Sequence, residues 1–414
     1  MTKSTPGRGP AKTRLAGIDA ARGLALLGMM ATHIIPLSKD VTDDSAGAAL
    51  AAAEPTWAAL WFAGKASALF AVLAGVGLAL LTGAARPLSG DRLAATRRGV
   101  VVRALAIATL GLVGGSLDTH VAVILVHYGL LFLFAIPFLG LPAQRLAWWA
   151  GGWLLLSPGL LFLARPPVSA ALTPADVGGS PVFMDLFRPA TLAADLLVTG
   201  YYPVLVWTGF VLLGLFVGRC DVSRPPVALA FATAGAAVAA GARALSAALL
   251  ARPDAEAALT SGTGRGSDAL GVSLRTGQGL AGVESTPWWF ALSAPHTGAP
   301  LDILHVAGTA VAVLGICQLA ATALKSLLGG AGEMLLWPIA GAGAATLTLY
   351  LGHLVALDLL SGATADRPRL GVYLWYAGAA LLVGIALKWA AVRGPLESMV
   401  HTMAAGAAGD TARR

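Results

Sequence analysis

Arg14-Leu-Ala-Gly-Ile-Asp19-Ala-Ala-Arg22-Gly-Leu-Ala-Leu-Leu-Gly-Met-Met-Ala-Thr-His33 is the stretch whose reading decides the fold. Residues 18–37 are long enough to cross a bilayer as a helix, at ~1.5 Å per residue over ~30 Å of hydrocarbon. Yet the segment carries Asp19, Arg22 and His33. Ionisable groups inside a span are costly, so they face a protein interior or a watery cavity and mark function. Asp19 and Arg22 are three residues apart and share a helix face. Eleven residues, about three turns, then return His33 to that face roughly 16 Å further along. Singly, each reads as an interfacial anchor or a packed core group. Three on one stripe read as a functional face.

The remaining chain fits a membrane setting. Of 414 residues, 57% are hydrophobic and 12% charged, against about a quarter charged in soluble domains. That excludes a soluble enzyme domain. Ten spans are expected, at 18–37, 58–82, 99–117, 120–140, 146–164, 200–218, 226–250, 302–323, 335–358 and 371–392. The fold class is an all-α, polytopic integral membrane protein. Residues 1–16 form a basic tail and 17–394 one membrane domain, with outer loops at about 165–199 and 251–301. Residues 395–414 form a second tail.

An even number of spans puts both termini on one side. With the termini inside, the inner segments hold Lys3, Arg8, Lys12, Arg14, Arg86, Arg92, Arg97, Arg98, Arg145, Arg219, Arg224, Lys325, Lys388, Arg393, Arg413 and Arg414. The longer outer loops hold Lys39, Arg165, Arg188, Arg252, Arg265, Arg275, Arg367 and Arg369. Basic residues favour the cytoplasmic side, so the termini are expected there. The net charge of +7 follows from this anchoring, and no nucleic-acid module is visible. Cys220 and Cys317 are too few for a disulfide framework. Charges at the start of 18–37, and nine further spans, mark it as a retained helix and not a cleaved signal.

With that topology, polar residues collect at two depths. His33, His120, His127, His305 and His353 fall in outer halves of spans, and His296 in an outer loop; only His401 of the seven histidines lies elsewhere. Lys65 lies at similar depth. Histidine is the base whose ordinary pKa is near neutrality, so several around one outer cavity suit proton abstraction from a hydroxyl or amine. The spacings are not those of a zinc helix, and no metal is expected. The same groups could also serve a proton path. At the inner side Arg86, Arg92, Arg97, Arg98 and Arg103 crowd one loop and helix start. They read as positive-inside anchors or as a phosphate site. The outer loop 251–301 begins as a mobile Gly/Ser/Thr/Ala-rich run and ends in Trp288-Trp289, an interfacial belt or a sugar-stacking pair.

Ile18-Asp19-Ala-Ala-Arg22-Gly23-Leu-Ala-Leu, with His33 eleven residues past the arginine, resembles the opening helix of the transmembrane acyltransferase superfamily. That group includes heparan-alpha-glucosaminide N-acetyltransferase and the acyltransferase-3 type sugar O-acyltransferases. Gly64-Lys65-Ala-Ser67-Ala-Leu-Phe70, Tyr201-Tyr202-Pro203, Ser293-Ala-Pro-His296-Thr-Gly298 and Leu347-Thr348-Leu349-Tyr350-Leu-Gly-His353 resemble a bacterial branch of it, in matching order. The resemblance implies acyl transfer, most simply acetyl, from cytoplasmic acyl-CoA (acetyl-CoA) to a hydroxyl or amine of an extracytoplasmic glycan or glycolipid. It implies a multi-pass protein of the bacterial cytoplasmic membrane, whose partners are the donor, a sugar or lipid-linked acceptor and membrane lipid.

On that reading His33, with His353 or His127, is the base and Lys65 an oxyanion donor. Asp19, Arg22, Arg97, Arg98 and Arg103 hold the donor, and His120, His296, His305 and Trp288 the acceptor. One departure stands out. The heparan enzyme has its key histidine in the outer loop before the second span, whereas residues 38–57 here hold Trp57 and no histidine. The rival reading is a proton-coupled small-molecule transporter or lipid flippase, and a third is a lipid-binding scaffold.

Overall fold

The computed structural model describes residues 16–38, 54–172 and 179–409. The basic residues before Ala16, Lys39, Asp176 and the last five residues lie outside these. Helices dominate, and the one β-contact among the described residues is an isolated bridge between Ser38 and Pro55. The helices are α1 (Ala16–Ile34), α2 (Trp57–Phe62), α3 (Lys65–Leu81), α4 (Gly90–Gly115), α5 (Leu125–Ala135) and α6 (Ala143–Ala170). Then come α7 (Pro189–Ala194), α8 (Val204–Arg219), α9 (Pro225–Leu250), α10 (Pro253–Thr263), α11 (Ser267–Thr276) and α12 (Pro300–Leu328). The last are α13 (Gly330–Leu335), α14 (Trp337–Ala344), α15 (Thr346–Leu359), α16 (Ser361–Thr364), α17 (Arg369–Trp389) and α18 (Pro395–Ala408).

Among the described residues six helices are long and apolar enough to cross a membrane, or eight if two bent pairs each count as one span. The bent pairs are 189–219, broken by 57°, and 337–359, broken by 85° at Ala345. Two of the ten expected spans fall outside that count. α1 is 19 residues long and carries the charges described above. The apolar stretch Leu125–Phe138 is short because 116–124 runs as irregular backbone, pinned where Tyr202 donates to the Ala122 carbonyl.

α1, α3, α8 and α12 form the centre, while α6, α9 and α17 present Trp148, Leu163, Leu245, Leu382 and Trp389 outward. Lipid tails solvate such faces as well as protein does, so close approach through small residues, not apolar burial, joins the central helices. Where α3 crosses α8, a Cβ on Gly75 would lie 2.1 Å from the Val211 carbonyl oxygen, and one on Gly214 1.9 Å from that of Val72. Only glycine fits both.

One buried cation staples the end of the bundle where α1 begins. Arg219 donates to the carbonyls of Ala79, Thr82, Ala84, Leu139 and Leu141 and to the Thr82 hydroxyl. Two expectations are corrected here. The Gly/Ser-rich run after Leu250 is not a mobile loop, because Ala255, Leu259, Leu270 and Val272 are buried and hold α10 and α11 in place. The stretch expected as a C-terminal tail folds as α18, which packs on α4 through Val400, Ala404 and Ala408.

Candidate active site

α1 and the broken helix α14–α15 meet along their length. At one end Gly343 and Gly23 let α14 touch the α1 backbone beside Asp19. At the other, His33 in the last turn of α1 faces His353 in α15. His33 Nδ1 lies 2.9 Å from His353 Nε2, and the rings stack with centroids 5.2 Å apart and planes 11° from parallel. One nitrogen of this contact must carry the proton and the other accept it. The Tyr350 ring meets both edge-on, at 6.3 and 5.2 Å. Its hydroxyl accepts from the Ile124 amide at 3.4 Å, so the irregular 116–124 segment fixes the tyrosine. The pair is a proton-sharing couple beside an aromatic ring, with His353 buried and His33 half-buried.

Below the pair lies a cavity of about 360 Å³. Its far wall is Met29, Ile124, Tyr128 and Tyr350, its flanks are Phe70, Leu73, Leu78, Ile107 and Phe132, and its opposite end is lined by Arg22, Arg103, Arg393, Glu397 and His401. Arg22 is held by Asp19 at 3.1 Å, as the spacing predicts. Gly77 leaves room for the guanidinium, since a Cβ there would lie 3.2 Å from it. Arg103 Nε is buried with no hydrogen-bond partner among the described residues. Partial burial, and the charges of Arg393 and Arg103, hold the His401 imidazole below its ordinary value. Cationic donors at one end and an aromatic floor against two imidazoles at the other suit a long ligand, anionic at its tail and reactive at its tip. A larger hollow of about 560 Å³ lies between α6 and α8, but its walls are tryptophans and leucines with Arg145. Size does not select the site; chemistry does.

The other expected site residues fall elsewhere. Lys65 Nζ donates to the Leu60 carbonyl at 3.0 Å and lies in a second polar cluster with His296 and Asp302. Asp302 accepts from the Gly298 amide and the Thr297 hydroxyl. His296 takes a left-handed φ of 62° and packs on Tyr201 with centroids 4.1 Å apart and planes tilted by 36°. Burial, and then Lys65, push its imidazole down to about 3, so it is neutral. His127 is buried with its ring 5.5 Å from that of Tyr202, and His305 bonds the Ala239 carbonyl. His120 is exposed, Trp288 stacks under Arg252, Arg97 is half-buried and Arg98 is exposed; none of the four lines the cavity. Of the Arg97-Arg98-Arg103 set, Arg103 alone does. Arg393, Glu397 and His401 were not anticipated. Their signal was Gly394-Pro395, a helix start, followed by Val400, Ala404 and Ala408 at four-residue spacing. Among the described residues no group of three or more His, Cys, Asp or Glu side chains is placed to hold a metal ion.

Fold and site together define a multi-pass, all-helical membrane protein with a cavity that runs from arginines to Tyr350, whose ring separates it from the histidine pair. The chain belongs to the family of heparan-alpha-glucosaminide N-acetyltransferase, catalytic, whose family model matches residues 14–248, more than half of its length. Its class is that of a membrane acetyltransferase. The matched region holds Arg22, His33 and Arg103 and stops inside α9, before His353 and α18. No curated protein and no solved structure matches the chain.

Proposed function

We propose that the protein transfers an acetyl group from acetyl-coenzyme A to a hydroxyl or amine of an extracytoplasmic glycan or glycolipid, across a bacterial cytoplasmic membrane. α1 and the short α5 complete ten crossings, and both termini and the arginine-lined end of the cavity face the cytoplasm. The donor's phosphates pair with Arg22, Arg103 and Arg393, and its acyl arm extends along the apolar flanks towards Tyr350. His33, partnered by His353, takes the proton of the acceptor as its oxygen or nitrogen bonds the thioester carbonyl carbon. The C–S bond then breaks, and the thiolate leaves with that proton. One positioned base typically contributes 10²–10⁴-fold.

The observation that supports this reading is one cavity that links three arginines to Tyr350, the ring that meets His33 and His353 edge-on. The test is thiol release from acetyl-coenzyme A by purified protein with native membranes as acceptor, beside His33→Ala. Release that falls by about 10² or more in the variant supports the proposal. Equal release by both proteins, or none by either, counts against it.

The 85° break at Ala345 favours a second reading, because transporters place broken helices at their substrate sites. That reading requires pH-coupled flux of a solute without thioester consumption.

A further inference from the structure

We propose that Glu397 is a positioning residue that ties the histidine pair to the charge at the cavity mouth; this rests on the acetyl-transfer reading. A helix begins with amide N–H groups that have no partner within it, and Ser, Thr, Asp or Asn ordinarily caps them. α15 begins at the break after α14, where its cap position is Ala345, which has no side-chain acceptor. Glu397 supplies the cap from another helix. One carboxylate oxygen accepts from the Leu347 amide at 2.6 Å and the Thr348 amide at 3.1 Å. The other accepts from the Thr348 hydroxyl at 2.6 Å, and that hydroxyl accepts in turn from the Leu396 amide at 3.1 Å. A carboxylate here also meets the positive end of the helix dipole. α15 then carries Tyr350 two residues past Thr348 and His353 five past it.

The same carboxylate has a second face. Glu397 lines the cavity with Arg22, Arg103, Arg393 and His401, and it is the one acidic side chain in that lining among the described residues. Glu397 and His401 sit one turn apart on α18. The residue therefore does two separable things. Its geometry fixes the start of the helix that bears Tyr350 and His353. Its charge offsets the arginines and limits how tightly they hold an anion.

Removing the charge but keeping the shape should move two constants in opposite senses. Glu397→Gln should bind a thioether analogue of acetyl-coenzyme A about fivefold more tightly, because a like charge leaves the mouth. Its limiting rate of thiol release at saturating acetyl-coenzyme A should fall about tenfold, because one of the two cap bonds to Thr348 is weakened and the pair loses register. Thr348→Val leaves the charge and removes the hydroxyl, so the rate should fall about tenfold with analogue affinity unchanged. The double variant should lose little beyond Glu397→Gln, since both act on one network.

Both affinity and rate are measured on full-length protein in nanodiscs with native membrane acceptors. Wild-type protein that neither binds the analogue nor releases thiol removes the acetyl-transfer reading itself. Wild-type protein that does both, with Glu397→Gln binding more weakly or turning over normally, overturns the role of Glu397. If Glu397→Gln does not fold, Thr348→Val decides: a rate loss at constant affinity supports the proposal, and a normal rate overturns it.

Discussion

Gly343→Ala is the smallest change that should dismantle the donor end of the site. A Cβ at that position would lie 1.7 Å from the Asp19 carbonyl oxygen and 2.7 Å from the Gly23 amide nitrogen. Carbon prefers ~3.5 Å or more from such neighbours, so α14 must retreat from α1 by roughly 1.5 Å. Both contacts are backbone and cannot rotate away. Overpacking of this kind costs about 1–3 kcal/mol, a fall of roughly 1–3 °C in melting temperature for a chain of this length. The functional cost should be larger, because Gly343 and Ala344 line the cavity with Arg22, whose partner is Asp19. A shift of about 1 Å in a reacting geometry costs on the order of 10² in rate. The assay is thermal unfolding of protein in nanodiscs beside thiol release from acetyl-coenzyme A. Gly378→Ala is the control: a Cβ there meets nothing within 4 Å, so stability should hold or rise by up to about 1 kcal/mol. A Gly343→Ala protein with wild-type melting temperature and turnover would show that the site does not depend on this close contact.

Three further outcomes follow from the site. His353→Ala should lower the limiting rate by about 10², with donor affinity within twofold, because His353 touches His33 and not the cationic mouth; stopped-flow thiol detection and analogue binding separate the two. Arg219→Met should lower stability by about 3 kcal/mol, since the carbonyls of Ala79, Thr82, Ala84, Leu139 and Leu141 lose their donor inside the bundle; denaturation of the reconstituted protein reads this directly. The third concerns pH. Burial, Arg393 and Arg103 disfavour protonated His401, and a phosphate beside it would favour it. Analogue binding should therefore take up a proton and tighten as pH falls below the ordinary histidine range, by at most about tenfold per pH unit. His401→Gln should flatten that slope in a calorimetric titration.

Much of this was legible in the chain. Three ionisable residues on one stripe of 18–37 announced a polar helix face, and Asp19 and Arg22 do pair on it. The histidine in Leu349-Tyr350-Leu-Gly-His353 lies beside the one in the first helix, a meeting that helix spacing could not show because spacing gives faces and not neighbours. For the same reason Lys65 could not be separated from the pair; the left-handed turn at His296 carries that loop to it instead. α18 was missed for a different cause. It is too short and too mixed to read as a span, and its role depends on a helix break 50 residues earlier whose cap it supplies. The break at Ala345 lies inside an apolar run that hydropathy reads as one straight span.

On the proposed function, one protein carries an acetyl group from a cytoplasmic thioester to an acceptor on the other side. The direct measurement uses sealed inverted membrane vesicles given acetyl-coenzyme A labelled in the acetyl group, with wild-type protein or His33→Ala. Label is expected on glycan or lipid inside the vesicles, protected until detergent opens them, with wild-type protein and not with the variant. Label confined to the outer surface, or interior label that persists without His33, would contradict it.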